Sequence, residues 1–275
     1  MVNDYTRNDA IENCIRSLDL KRKIVLEIGA GTGLVSMMFA KYGAQAVYAC
    51  EVNAHMFEVA TKIIRDNGYS DRITLWNLSS RDLHAAMMPR PPDIIFTETL
   101  DCGIVNEGFY DICVDVKRLS SDKTLVLPTR IKQYAHIVSS ETAWRLNHVD
   151  CACGLDVTSL NDYRTRTYYP IRVKSHAIDL LTSRLELASY YYNGTGMTSC
   201  IKAFVQRAGP AHGILSWFEA ELGDYRLTND PSHSSHWHQA FHPFAQATQL
   251  YAGTSVEVRK REDGTCDVLE MCHEN

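Results

Sequence analysis

"KIVLEIGAGTG", residues Lys23 to Gly33, decides the fold. Apart from one acid, the run is apolar and β-branched, as in a strand buried on both faces of a parallel sheet. Gly29, Gly31 and Gly33 follow where a helical period begins. Glycines there permit a tight strand-to-helix turn and let a ligand approach the backbone. Working outward, a helix is expected from about Gly33 to Lys41, and "AVYAC" reads as the second strand. Met56, Val59, Ala60, Ile63 and Ile64 mark one face of a helix from about Asn53 to Asn67, with Gly68 placed to stop it. "RITLW" and "DIIFT" are further strands, Ile112, Cys113, Val116 and Leu119 line another helix, and "TLVLP" is a strand closed by Pro128. Strands alternating with helices predict a doubly wound α/β sheet of the Rossmann type.

Beyond Pro128 the character changes. "IKQYAHIV", "IRVKSHAI", "RLELASYYY", "GILSWFEAEL" and "TSVEVRKRE" have strand length and β-branched or aromatic content. They predict a mainly antiparallel, β-barrel-like second half. Val149 to Pro170, polar and rich in tyrosine, interrupts it, either as a surface loop or as a subunit-contact arm. The expected division is residues 1–130 for the α/β part and 131–275 for the β part, with the arm at about 149–170.

The bulk properties exclude several classes. At 275 residues, 45% hydrophobic and 22% charged, the chain is ordinary for a globular protein with a sizeable core. No apolar run approaches the roughly 18 residues that span a bilayer, so no membrane segment is expected. A net charge of −5 and a pI near 6.1, without a basic stripe, give no field for a phosphate backbone, so nucleic acid is not an expected partner. Nine cysteines follow no disulfide or zinc-ribbon spacing, and Cys151 and Cys153 form CxC rather than CxxC. Reduced thiols and an N-terminus without an apolar signal core suggest a cytoplasmic protein.

The glycine loop raises the question of its ligand. A dinucleotide fold wants GxGxxG, but counting from Gly29 the third position holds Leu34, and from Gly31 it holds Ser36. Glu27 would repel a pyrophosphate yet accept hydrogen bonds from an ammonium. S-adenosylmethionine carries an ammonium and a sulfonium and no phosphate, so it fits better than a nicotinamide dinucleotide or a merely structural turn. Glu51, at the end of the second strand, stands where an acid takes both ribose hydroxyls, an arrangement shared by both cofactor classes.

"DIIFTETLDCGIVNEG", Asp93 to Gly108, begins at the C-terminal edge of a later strand, where open α/β sheets bind ligands. If the loop folds back, Glu107 arrives beside Glu98, and two ionised carboxylates need a cation between them. A planar guanidinium with five donors suits both. The competing reading makes both glutamates solvated loop residues, which their residue type alone favours.

Taken together, "VLEIGAGTGLVSMMFA", "ACEVN", "TETLDCGIVNEG" and "SHWHQ" at Ser235 to Gln239 resemble the protein arginine methyltransferases, in the right order over essentially the whole chain. The resemblance implies that Arg7 pairs with the cofactor's carboxylate, that Glu27 and the glycines cradle its methionine end, and that Glu51 holds the ribose. Ser80, with Asp82 nearby, is the implied adenine contact. Glu98 and Glu107 would hold the substrate guanidinium, with Trp237 beside it. His236 would pair with Asp4, and either Glu107 or His236 through Asp4 would take the released proton. Asp101 resembles the monomethylating subgroup, where a carboxylate crowds the nitrogen that must rotate for a second methylation. The family usually has a further N-terminal helix over the cofactor, and this chain begins after it, so either something else closes the site or the site stays open.

The resemblance also implies a homodimer through the arm, with Tyr163, Tyr168 and Tyr169 as its aromatic content. The substrate reading leans toward free L-arginine or a small guanidine metabolite of specialised metabolism, with an arginine-containing peptide as the alternative and a catalytically silent cofactor-binding or dimerising subunit as the third. The competing reading makes His236 merely one member of a histidine-rich loop with His233, His238 and His242. "HSSHWHQAFH" lacks the HExxH pairing, so no metal is expected.

Overall fold

The computed structural model describes residues 1–194 and 200–272. A first helix, α1 (Tyr5–Ser17), precedes a parallel sheet whose strands are β1 (Ile24–Ile28), β2 (Ala46–Cys50), β3 (Ile73–Trp76), β4 (Ile94–Thr97) and β5 (Leu125–Leu127). Helices α2 (Leu34–Lys41), α3 (Ala54–Asp66) and α4 (Phe109–Leu119) connect them. The strand order is β3-β2-β1-β4-β5, all parallel, with Val25 opposite Val47 on one side and Ile94 on the other. All five residues of β1 are buried, which is why the run is apolar without alternation. The order reverses between β1 and β4, so the crevice at their C-terminal ends is the topological switch point where such sheets bind ligands.

The second half is antiparallel. β6 (Arg130–Ser139) and β13 (Gly209–Leu222) form the centre of a seven-stranded sheet. It is completed by β9 (Tyr169–Ile171), β10 (Asp179–Leu180), β11 (Leu185–Tyr190), β14 (Tyr225–Thr228) and β15 (Gln239–Leu250). A three-stranded sheet of β12 (Cys200–Phe204), β16 (Ser255–Lys260) and β17 (Cys266–Cys272) faces it across Ala135, Leu187, Ile214, Val256 and Val258. Residues 151–156 form the small hairpin β7 (Cys151–Ala152) and β8 (Leu155–Asp156). Phe218, Leu222, Tyr190 and Trp237 of the β half share one core with Phe39, Phe96 and Phe109 of the α/β half.

Three expectations need correction. "IRVKSHAI" is not a strand: β9 ends at Ile171, residues 173–175 make one 3-10 turn, and Arg172 turns away to bind carbonyls of another loop. The histidine-rich segment is not one loop, because it ends inside β15 and His242 is buried there at 1% exposure. Its Pro243 pairs with Gly213 beside a register shift, the kind of irregularity at which proline is tolerated in a sheet. Finally, Tyr168 and Tyr169 do not belong to an exposed arm. Tyr168 is buried in the chain's own core, and the Tyr169 hydroxyl donates to the Ala143 carbonyl at 2.8 Å. Tyr163 stands free, 88% exposed, with Leu155 and Leu160.

Candidate active site

The glycine loop is built as its composition requires. Gly29, Gly31 and Gly33 all have positive φ, and a Cβ on Gly29 would come within 2.9 Å of the Thr99 side chain. A Cβ on Gly31 would meet no atom within 4 Å, so that glycine faces open space. Two clefts meet at this loop. One, of about 270 Å³, is lined by Gly29, Glu51, Ser80, Thr99, Glu107 and Asp111. The other, of about 140 Å³, is lined by Met1, Arg7, Glu27, Gly31, Met56 and Glu98.

In the larger cleft, Glu51 accepts the Gly31 N–H at 2.8 Å and the Asn53 N–H at 2.9 Å. Those bonds fix the carboxylate at the end of β2 and leave it further lone pairs for hydroxyl donors. The Ser80 hydroxyl is committed to Asp115 at 2.6 Å and its carbonyl accepts from Arg118, so only the remaining backbone of Ser80 faces a ligand. Asp82 does not line this cleft.

In the smaller cleft, Glu27 lies beneath the loop at 3% exposure and accepts the Ser36 hydroxyl. Burial pushes its carboxyl up to about 8, against the opposing pull of that hydroxyl and of Arg7. A buried acid so raised regains its charge most readily when a cation arrives. An open glycine wall, a buried acid that a cation would ionise at one end and an acid fixed by backbone N–H bonds at the other together fit S-adenosylmethionine.

Arg7 is not free for a ligand's carboxylate. Its guanidinium grips Glu98 with Nε at 2.7 Å and a second, close bond from Nη2, while Nη1 donates to Asn8 at 2.7 Å. Both side chains are nearly sealed from solvent. Glu98 thus holds one guanidinium edge already, in the fork geometry expected of arginine and carboxylate. Glu107 is exposed and stands apart from this pair, so the two glutamates do not meet as a hydrogen-bonded couple. They still feel each other. Burial, then Asp101, then Glu98 raise the Glu107 carboxyl, and burial also raises Glu98 and Asp101 despite their hydrogen bonds. Glu27, Glu98, Asp101 and Glu107 are therefore all pushed above the ordinary carboxylate range.

The loop between the glutamates is strained. Ile104 takes φ +85° while fully buried, an outlier for a β-branched residue that costs on the order of 1–3 kcal/mol. Long-range bonds hold it in place: the Trp237 indole donates to the Leu100 carbonyl at 2.8 Å, and Asn229 reaches the Cys102 carbonyl at 3.4 Å. Trp237 is thus a buried clamp on the loop, packed edge-on against Phe218.

Asp4 and His236 do come together. Asp4 Oδ2 accepts both the His236 backbone N–H at 2.9 Å and ring Nδ1 at 2.8 Å, while Oδ1 caps α1 through the Arg7 N–H at 3.0 Å. Burial alone would raise Asp4, but these bonds hold it below its usual value. Burial lowers His236 below 6.5, with Asp4 pulling the other way. A neutral ring donating through Nδ1 leaves Nε2 as an acceptor. Arg172, which sequence reasoning missed, donates to the carbonyls of Ser235, His236 and Trp237 and shapes this loop. Nothing local in "PIRVK" signals that role. Among the described residues no three His, Cys, Asp or Glu side chains gather to hold a metal.

Residues 9–121, which include four of the five parallel strands, match the family of ribosomal protein L11 methyltransferase (PrmA). The "Arginine N(omega)-methyltransferase" of Streptomyces achromogenes subsp. streptozoticus is 29% identical over 266 residues, spanning 94% of this chain and 74% of that protein. "Protein arginine N-methyltransferase 9" of Xenopus laevis is 26% identical, spanning 88% of this chain and 34% of that protein. The chain therefore spans about a third of that longer relative. In structure, a chain of the Trypanosoma brucei PRMT1 enzyme-prozyme heterotetrameric complex with AdoHcy aligns at TM-score 0.81 and 21% identity, over 94% of this chain and 85% of that one. The chain is thus similar to arginine N-methyltransferases over most of its length, and it shares their fold of a Rossmann-like parallel sheet followed by an antiparallel β half.

Proposed function

We propose that the chain transfers a single methyl group from S-adenosylmethionine to a terminal guanidino nitrogen of arginine, with free L-arginine or a small guanidine metabolite as the substrate. In this reading residues 1–130 bind the cofactor and 131–275 complete the substrate site. Glu27 and the glycine loop take the cofactor's ammonium end, Glu51 its ribose, and the Ser80 backbone its adenine side. When bound, the cofactor supplies a methyl on a sulfonium that leaves as the neutral thioether.

The observation that carries the reading is that Glu98 and Glu107 line the two clefts meeting at the glycine loop, both carboxyls raised first by burial, with Glu98 already holding the edge of one guanidinium. A protonated guanidine is a poor nucleophile because its lone pairs are delocalised. Glu98 and Glu107, ionised on either side of it, draw positive charge to the nitrogens they bind and raise electron density on the third. That nitrogen gains carbon and gives up one proton, for which His236 Nε2, kept as an acceptor by Asp4, is the favoured destination. Arg7 holds Glu98 in place.

The lean toward a small substrate draws on the Streptomyces relative, which the chain covers for 74% of its length against 34% for the arginine methyltransferase 9 of Xenopus. The exposed Leu155, Leu160 and Tyr163 of the arm support a homodimer. Mass spectrometry of the protein with S-adenosylmethionine and either L-arginine or an arginine-rich peptide tests the reading. A gain of one methyl on the free amino acid is expected; methylation of the peptide alone returns the chain to protein modification, and no gain on either removes the proposal.

A further inference from the structure

Asp101 is not a loose acid. Its Oδ1 accepts the Tyr168 hydroxyl at 3.0 Å and the Asn106 N–H at 3.4 Å, closing the acidic loop on itself. Tyr168 lies 67 residues away in sequence, at the root of the arm just before β9, and its ring is buried at 4% exposure. The ring fills a slot walled by two glycines. A Cβ on Gly103 would come within 2.3 Å of it, and one on Gly264 within 2.6 Å. Any side chain at either position would evict the tyrosine. His242 packs against the same ring at 5.2 Å between centroids, and its Nδ1 bonds the Gly264 carbonyl at 2.9 Å, which fixes the second wall. Lys260, buried and bonded to Gln133 and Tyr190, adds a positive field that Asp101 feels. A solvated loop carboxylate would need none of this.

We infer that Tyr168 is a positioning residue that sets product specificity: by fixing the Asp101 carboxylate within the acidic loop, it leaves room for one methylation of the guanidinium and withholds it for the second. The inference rests on the guanidine methylation proposed above. A once-methylated guanidinium must return with a rotated nitrogen and an added methyl, and both need space that a pinned carboxylate occupies. A carboxylate free to swing yields that space.

Tyr168→Phe keeps the ring in its slot and removes only the hydroxyl. Its share of dimethylated product, read by mass spectrometry, should rise about fivefold or more over the wild type, the factor that one hydrogen bond commonly carries. Asp101→Asn loses the charge but still offers a carbonyl oxygen to Tyr168, so it should stay monomethylating. An unchanged product ratio in Tyr168→Phe, or equal dimethylation by Asp101→Asn, overturns the inference. Hydrogen exchange of amides 101–108 without substrate gives a reading independent of turnover. Faster exchange in Tyr168→Phe supports the pinning and unchanged protection sinks it. A wild-type chain that methylates no guanidine removes the proposed function, and the exchange result still decides whether Tyr168 fixes the loop.

Discussion

The two halves of the molecule serve the crevice in opposite ways. The parallel sheet offers side chains directly from strand ends: Glu27 within β1, Glu51 just after β2 and Glu98 just after β4. The β half instead reaches across and binds backbone. Trp237 and Asn229 hold carbonyls of the acidic loop, and Arg172 holds the carbonyls beside His236. One half supplies ligand-binding groups and the other holds them in a strained shape. Substitutions in the first should therefore change binding and chemistry outright, whereas those in the second should change how well a surviving site is arranged.

Glu98→Gln is the sharpest way to test that division. Glutamine keeps the length and an acceptor for Arg7 but removes the charge that a guanidinium needs. The rate of methyl transfer should fall by on the order of 10² to 10³, the scale for removing one group that stabilises charge in the transition state. The dissociation constant for S-adenosylhomocysteine, measured by calorimetry, should change little. A normal rate would mean that Glu98 is only the structural partner of Arg7.

Glu27→Gln should act on binding instead, with a pH signature. In the ligand-free protein the Glu27 carboxyl titrates near 8, whereas an unfolded glutamate titrates near 4.5. Between those values the folded state holds more protons, so the ligand-free protein should lose stability as pH rises through that window. An ammonium ligand needs Glu27 ionised, so affinity for S-adenosylhomocysteine should rise with pH toward about 8, by up to about tenfold per unit. The glutamine variant should bind about tenfold or more weakly and lose both slopes. A wild-type affinity flat over that range would place the ammonium elsewhere.

The same division governs what the sequence made legible. "VLEIGAGTG" encodes its own fold and ligand edge, because strand, turn and helix are contiguous and each obeys a local period. Glu27, Glu51 and Glu98 were legible for that reason. What the β half does was mostly hidden. Tyr168 meets Asp101 across 67 residues and Asn229 meets Cys102 across 127, and no local pattern marks either pair. The β15 segment, carrying His242 and Pro243, reads as a loop by composition, yet tertiary pairing with β13 makes it a strand. Arg7 was legible as an arginine at the site, but its partner was not, because Glu98 lies 91 residues away in sequence.

Asp4→Asn gives the smallest and most discriminating effect. Asparagine is as good a helix N-cap as aspartate, so α1 should keep its start and overall stability should move little. The change falls on His236, which loses a charged partner on Nδ1. Burial already lowers His236 and Asp4 opposes that shift, so without Asp4 the ring should titrate lower still. If His236 takes the released proton, the acid limb of kcat/KM should lie below 6.5 in the wild type and move to lower pH in the variant. The plateau should drop about fivefold, because the ring is no longer held in the tautomer that leaves Nε2 open. If Glu107 takes the proton instead, the limb should stay where it is. Its carboxyl is raised by burial, Asp101 and Glu98, and Asp4 is not among these direct causes. A shifted limb makes the β half a direct participant in the chemistry, and an unmoved one confines it to holding the acidic loop in shape.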